Sequence, residues 1–174
     1  MASKRLIKEL DQYNKDPSPA VTRLEPTNDD DLFHLTAVLR GPDGTAYEGR
    51  YSASKHHCHY NHLITSLLGG TFTLHLAIPS TYPNSPPAIT FKTPCCHPNV
   101  SFTTGEICLD LLKTSWTPAY GMISSLEAVQ QLLSAGGEAD SPLNLDIAKL
   151  IREGDLVGAE ALVRLYTRMY AMGE

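Results

Sequence analysis

The residues best suited to chemistry lie between His97 and Trp116, in the run His-Pro-Asn-Val-Ser-Phe-Thr-Thr-Gly-Glu-Ile-Cys-Leu-Asp-Leu-Leu-Lys-Thr-Ser-Trp. One cysteine, Cys108, follows Gly105 and Glu106 and precedes Asp110, with the side-chain amide of Asn99 upstream. A thiol is a soft nucleophile toward a carbonyl carbon. An amide N–H can hold the oxyanion that forms when that carbon is attacked. The pair suits thioester exchange. The thiolate is the reactive form, and no lysine or arginine flanks Cys108 in sequence to favour it. A modest nucleophile is therefore expected, which suffices for an acyl group that arrives already activated. The bland alternatives are a cysteine buried as a small hydrophobe and an asparagine serving the turn after Pro98. The glycine and the charged flanks argue for a surface loop around Cys108. Asn99 suits either oxyanion contact or bracing of the loop, because its amide both donates and accepts. His97 reads as a hydrogen-bonded structural residue before it reads as a base. Asp110 reads as a solvated carboxylate.

The elements that must position this loop follow from periodicity. Leu6, Ile7 and Leu10 recur at helical spacing and the pattern stops at Asp16-Pro17-Ser18-Pro19, since a residue before proline is pushed out of the helical region. Phe33 to Leu39, Thr71 to Ile78 and Ile89 to Phe91 alternate apolar with polar residues, and Val21 to Leu24 is a shorter candidate. Such alternation predicts antiparallel strands with one buried face. From Met122 the period changes. Met122, Ile123, Leu126, Val129, Leu132 and Leu133 form a helical stripe that Gly136-Gly137 ends. Ser141 with Pro142 predicts the start of a further helix carrying Leu143, Ile147, Leu150 and Ile151. Asp155 predicts the cap of a last helix carrying Leu156, Leu162, Leu165 and Met169. The expected class is α+β.

With 174 residues the chain can bury one core without staples, and one domain over residues 1–174 is expected. Fourteen basic against nineteen acidic residues leave a net charge of −5, which excludes a nucleic-acid footprint. No apolar run is long enough to span a bilayer, so no direct membrane insertion is expected, and no charged-then-apolar leader is apparent. Cys58, Cys95, Cys96 and Cys108 do not make a disulfide framework in a chain of this size. A reducing compartment is expected, and it keeps Cys108 a free thiol.

These residues closely resemble the ubiquitin-conjugating enzymes. The His97–Trp116 run resembles that family's active-site signature. Arg5-Leu6-Ile7-Lys8-Glu9-Leu10 resembles its first helix, Gly41-Pro42-Asp43-Gly44-Thr45-Ala46-Tyr47-Glu48-Gly49 its strand-turn segment, and Tyr82-Pro83-Asn84-Ser85-Pro86-Pro87 its proline turn. Matching blocks in the right order carry more weight than one short motif. The resemblance implies the family's fold: an N-terminal helix, a four-stranded antiparallel sheet, an active-site loop and C-terminal helices. It implies that Cys108 takes ubiquitin from an activating enzyme as a thioester and passes it on, with Asn99 supporting catalysis. It assigns Asp140, Ser141 and Leu143 to the gate of the acceptor channel. It assigns Lys4, Arg5 and Lys8 to the activating enzyme, and Asn84, Pro118 and Ala119 to a RING-type ligase. No metal and no organic cofactor is implied; ATP is consumed by the upstream enzyme. A solvated helix face explains the basic residues equally well.

Residues 50–69 fall outside the pattern. Joining Gly49 to Gly70 restores the family sequence without a gap. The segment holds His56, His57, Cys58, His59 and His62, which are zinc-ligand types. A mobile polar loop is the simpler reading, because zinc sites usually draw ligand pairs from separated elements. A translated intron is a third reading.

Three departures from the common pattern narrow the assignment. The loop from Asn99 to Cys108 is one residue longer than usual, Cys96 stands where an aromatic often lines the acceptor path, and Asn84 replaces a large apolar residue. The longer loop and the stretch Ser141 to Asp155 resemble the peroxisomal branch of the family. That resemblance implies a membrane-anchored peroxin as partner and a place at the cytosolic face of the peroxisome. It also implies monoubiquitination of the cycling import receptor on a cysteine. The alternatives are a lysine-directed conjugating enzyme of another pathway, a non-catalytic adaptor of the same fold, and a thiol hydrolase pairing Cys108 with His97. Adaptor relatives lack the cysteine, and no oriented cysteine–histidine pair is legible for a hydrolase.

Overall fold

The computed structural model describes residues 2–28, 30–49, 69–137 and 142–172. The chain opens with helix α1 (Ala2–Lys15) and continues into strands β1 (Val21–Asn28), β2 (Asp31–Arg40), β3 (Thr71–Ala77) and β4 (Ala88–Phe91). Helices α2 (Met122–Ala135), α3 (Leu145–Arg152) and α4 (Leu156–Tyr170) follow the cysteine loop. The strands form one antiparallel sheet in the order β1-β2-β3-β4. This is the expected α+β architecture.

Alternation is what fixes the sheet's inner face. Leu35, Ala37 and Leu39 of β2 sit opposite Leu76, Leu74 and Phe72 of β3, and Leu74 and Leu76 sit opposite Phe91 and Ile89 of β4. All of these side chains are buried. Leu6 of α1 and Met122, Leu126, Val129 and Leu133 of α2 complete the core. A one-residue slip in any strand pair would turn a whole apolar set outward, so this burial specifies the register.

One carboxylate joins three parts of the chain. Glu9 on α1 accepts from Tyr82 Oη at 2.8 and 3.0 Å and from the Met122 N–H at the start of α2, at 2.8 Å. It also pairs with Arg5, whose guanidinium reaches the Tyr120 carbonyl at 3.2 Å. A negative group at a helix N-terminus satisfies an otherwise unpaired amide and favours the helix dipole. The Tyr82–Pro83 peptide is cis.

The helices correct three expectations. Helix α3 starts at Leu145 behind Asn144, not at Ser141-Pro142. Pro142 is not helical, because the N–H groups of Leu143 and Asn144 are committed to the Pro98 carbonyl at 2.8 and 3.1 Å. Ser141 lies outside the described residues. Helix α4 is capped by Asp155, whose Oδ1 accepts from the Gly158 N–H at 2.8 Å, as expected. Its buried face is nevertheless Ala159, Val163 and Thr167, while Leu156, Leu165 and Met169 are exposed. Small residues let α4 approach the 3-10 turn Ala46–Glu48 closely; of the expected stripe, Leu162 packs against the core and the other three face away. Ile7 of α1 is likewise exposed, where Leu6 and Tyr13 are buried.

The two ends that flank residues 50–69 meet. The Gly70 N–H donates to the Glu48 carbonyl at 2.8 Å, and the Gly41 N–H donates to the Gly70 carbonyl at 2.7 Å. A Cβ on Gly49 would lie 3.0 Å from the Gly70 nitrogen. The Thr71 N–H, just beyond, is held by the Ala171 carbonyl at 2.8 Å. The frame therefore closes without help from the intervening segment, whose zinc-type residues fall in residues 50–68, outside the described set. A chain with Arg50 to Gly69 deleted is expected to fold, with a stability within about 2 kcal/mol of the parent because closure entropy varies only logarithmically with loop length. Urea unfolding followed by circular dichroism checks this.

Candidate active site

The loop after β4 is built on backbone ties. Gly105 has φ +71°, donates to the Ser101 carbonyl at 2.8 Å, and its own carbonyl accepts from the Phe91 N–H at 2.9 Å. A Cβ there would lie 1.9 Å from the Phe91 oxygen, so only glycine lets the loop lie against the end of the sheet. Ser101 N–H then bonds the Glu106 carbonyl at 2.9 Å, Val100 bridges Ile107, and the Cys108 N–H donates to the Asn99 carbonyl at 2.8 Å. The loop thus doubles back and sets Asn99 beside Cys108.

His97 anchors this hairpin-like loop from inside. Its side chain is 1% exposed. Nδ1 accepts from the Asn99 N–H at 3.1 Å, so the ring proton sits on Nε2, which lies 3.1 Å from the Leu132 carbonyl on α2. Both ring nitrogens are satisfied only in the neutral tautomer. Burial pushes the imidazole well down, to about 4. A histidine held neutral and bonded to backbone on both sides is no base for Cys108, and a cysteine–histidine hydrolase pair is not formed.

Asn99 is also buried, at 4%. Its amide oxygen packs over Gly137, where φ is +72° and a Cβ would come within 2.5 Å of Oδ1 and 2.6 Å of the His97 ring. The second glycine after α2 is therefore needed both for its conformation and for the close approach of the amide. Asn99, Cys108, Leu109 and Asp110 form one wall of a cleft of about 300 Å³, and Leu132, Ala135 and Gly137 form the other. A larger cleft, about 470 Å³, lies between α1 and α2 around Glu9 and Gln12, and no cysteine lines it.

The three described thiols are free and differ in access. Cys95 and Cys96 are buried, and burial pushes both up, Cys96 to about 12. Cys108 is partly exposed at the cleft. The fold also supplies a neighbour that sequence adjacency did not show. After the 3-10 turn Asp110–Leu112, Lys113 folds back and its Nζ lies 3.7 Å from Cys108 Sγ. The signal was present in the five-residue spacing, but only the tight turn between them makes it a contact.

The remaining expected site residues divide. Asn84, Pro118 and Ala119 are exposed, and the Trp116 indole N–H, donating to the Pro83 carbonyl at 2.8 Å, brings their two loops together. Lys4 and Lys8 are exposed on α1, but Arg5 is half-buried and committed to Glu9. Leu143 is exposed, tethered to the cysteine loop through Pro98. Asp140 and Ser141 lie outside the described residues.

The description "Ubiquitin-conjugating enzyme" matches residues 64–164. A ubiquitin-conjugating enzyme E2 PEX4 of Gibberella zeae is 42% identical over 168 residues, 95% of this chain and 86% of the relative. The chain belongs to the ubiquitin-conjugating enzymes. Protein PEROXIN-4 of Arabidopsis thaliana is 40% identical to this conjugating enzyme over 145 residues, 83% of this chain and 79% of the relative. The crystal structure of H. polymorpha ubiquitin conjugating enzyme Pex4p, in complex with the soluble domain of Pex22p, is 32% identical, with a TM-score of 0.80 over 97% of each chain. The enzyme is thus a transferase that works through a cysteine thioester, and the family fold is the one described above.

The His97 anchor has a pH signature in this conjugating enzyme. The folded-state value lies below the ordinary histidine value of about 6.5. Between the two, the unfolded chain binds a proton that the folded chain does not, so stability falls as pH drops from about 6.5 toward 4 and levels off below. The expected loss from this residue between pH 7 and pH 4 is about 3 kcal/mol. Urea unfolding at stepped pH should show this slope in the parent and a shallower one in His97→Asn.

Proposed function

We propose that Cys108 is the residue that carries ubiquitin, and that the cargo goes to the cycling receptor for peroxisomal matrix-protein import. In charging, the Cys108 thiolate attacks the thioester presented by the activating enzyme, and that enzyme's sulfur leaves. In discharge, an acceptor attacks the new carbonyl and Cys108 leaves as thiolate. Thioester exchange is nearly balanced in energy, so the site needs orientation and oxyanion support more than a strong base. The observation that carries this reading is the partly exposed Cys108 on the same cleft as the buried Asn99, beside two thiols that are sealed.

The peroxisomal assignment draws on the peroxin names of the relatives and on the solved Pex4p complex with a soluble Pex22p domain. A membrane-anchored peroxin of that kind would hold the enzyme at the cytosolic face of the organelle. No helix among the described residues is long and apolar enough to cross a membrane. Cys96 stands where an aromatic often lines the acceptor path but is buried here, so it adds no side chain to the cleft; with Asn84 exposed in the ligase loop, this favours an acceptor and a ligase unlike the common ones, and monoubiquitination on a cysteine is the matching outcome. The activating enzyme would meet Lys4, Lys8 and the outer part of Arg5. A RING-type ligase would meet Asn84, Pro118 and Ala119, and Asp140, Ser141 and Leu143 would gate the acceptor. The reaction needs no cofactor of its own.

Incubation with activating enzyme, ubiquitin and ATP, read on a non-reducing gel, should give a thiol-labile adduct that Cys108→Ala abolishes. Asn99→Ala is expected to slow discharge to a small nucleophile about 100-fold, the size of effect seen when one oxyanion donor is lost. Charging that persists with unchanged discharge would remove Asn99 from the transfer step. Adding the receptor, the ligase and a soluble peroxin anchor tests the acceptor. A receptor adduct cleaved by thiol supports cysteine transfer, and one stable to thiol indicates lysine.

A further inference from the structure

Transfer through a thioester leaves negative charge on sulfur, and the fold puts a cation beside that sulfur. We propose that Lys113 is a further catalytic residue: its ammonium stabilises the charge that gathers on Cys108 Sγ whenever the thioester bond is made or broken. The inference rests on Cys108 being the carrier.

Three observations bear on it. Lys113 Nζ lies 3.7 Å from Cys108 Sγ, within reach of a charge-assisted hydrogen bond to sulfur. The stem is led back to the sulfur by the 3-10 turn Asp110–Leu112. There the Leu112 N–H donates to the Leu109 carbonyl at 3.0 Å, and the N–H groups of Lys113 and Ser115 both donate to the Asp110 carbonyl at 2.9 Å. Lastly, Lys113 does not line the cleft whose walls hold Asn99, Cys108 and Asp110. The cation can therefore stay at the sulfur while the acyl group and its acceptor fill the cleft. Among the described residues, the sulfur is the side-chain partner of Lys113 Nζ.

The reaction develops charge at two centres in turn. Attack on the thioester carbonyl first places it on oxygen, where the Asn99 amide is the group at hand. Collapse of the tetrahedral intermediate then breaks the C–S bond, and sulfur leaves with the bonding pair. A donor aimed at the oxygen does little for this second centre, whereas an ammonium at the sulfur meets the charge where it forms. Asp110, the carboxylate on the same wall, opposes further negative charge nearby, and Lys113 offsets it. In charging the order is reversed, and the ammonium faces the thiolate until it attacks. The acceptor atom gives one proton to solvent and the departing thiolate takes one back, so the products are the new acyl bond and the Cys108 thiol. Lys113 acts by its charge alone and ends the cycle unchanged.

The test compares the full chain with its Lys113→Gln and Lys113→Arg variants. Each is charged with activating enzyme, ubiquitin and ATP. Magnesium is then chelated, and hydroxylamine, largely uncharged at neutral pH, discharges the thioester in a single turnover. Unit charges about 4 Å apart at a solvent-facing site are worth about fivefold in rate, so Lys113→Gln should discharge about fivefold more slowly than the parent. Lys113→Arg keeps the charge and should stay within about twofold of the parent. Alkylation of Cys108, followed by peptide mass with no ubiquitin present, gives a second readout. Lys113→Gln should slow iodoacetamide about fivefold and iodoacetate by a larger factor, because the anionic reagent also loses its attraction to the ammonium. A lysine that only supported the turn would not distinguish the two reagents. Equal discharge by parent and Lys113→Gln, Lys113→Arg as slow as Lys113→Gln, or equal effects on both reagents would each overturn the proposal. Absence of a thiol-labile adduct in the parent would instead remove Cys108 as carrier, and the inference with it.

Discussion

A neutral imidazole holds the site together. His97 takes the Asn99 N–H on one side and reaches the Leu132 carbonyl on the other, so one ring links the cysteine loop to helix α2. A helix carbonyl near the C-terminal end of α2 would otherwise lack a partner, and so would the amide that opens the loop. Protonation would turn the acceptor nitrogen into a donor facing another donor. The ring's burial therefore supports its tautomer, and the tautomer supports the loop. Asn99 and Cys108 sit where they do because this crossing point is fixed.

Access, more than intrinsic reactivity, separates the thiols. Cys95 and Cys96 lie a few residues from the site in sequence but inside the core, where desolvation opposes ionisation. Cys108 is carried past the sheet edge by the doubled-back loop and meets solvent at a cleft. A protein that transfers an acyl group between partners needs one sulfur that another polypeptide can approach. Neighbouring thiols that cannot ionise do not compete for the cargo.

Much of this was legible in the chain. Period-two alternation over Phe33–Leu39 and Thr71–Ile78 located the central strands, because each buries one face against a single layer of helices. Met122 to Leu133 identified α2 for the same reason. Cys108 and Asn99 stood out in the sequence because their residue types and their glycine-bearing loop are themselves a chemical signal, and the structure sets the two on one cleft. Long-range contacts were not legible. The ring of His97 meets a carbonyl thirty-five residues away. Of the apolar stripe expected on α4 only Leu162 packs on the core, since the close approach to the Ala46–Glu48 turn selects small side chains over large ones. The start of α3 was misplaced because Pro98 competes for the amides of Leu143 and Asn144, a tertiary effect that overrides a local capping signal. Lys113 was overlooked because distance along a turn is not distance along a chain.

Glu9 is placed to make neighbours of surfaces that look separate. Its carboxylate is shared by Arg5, by the tyrosine that starts the proline turn and by the first amide of α2. Helix α1 is consequently no detachable arm. A protein that grips its basic face is, at one remove, also holding the rim where Asn84 and Pro118 stand, like a hand on a door pressing its hinge. A push on any one of these surfaces is thus passed to the other two through a single carboxylate.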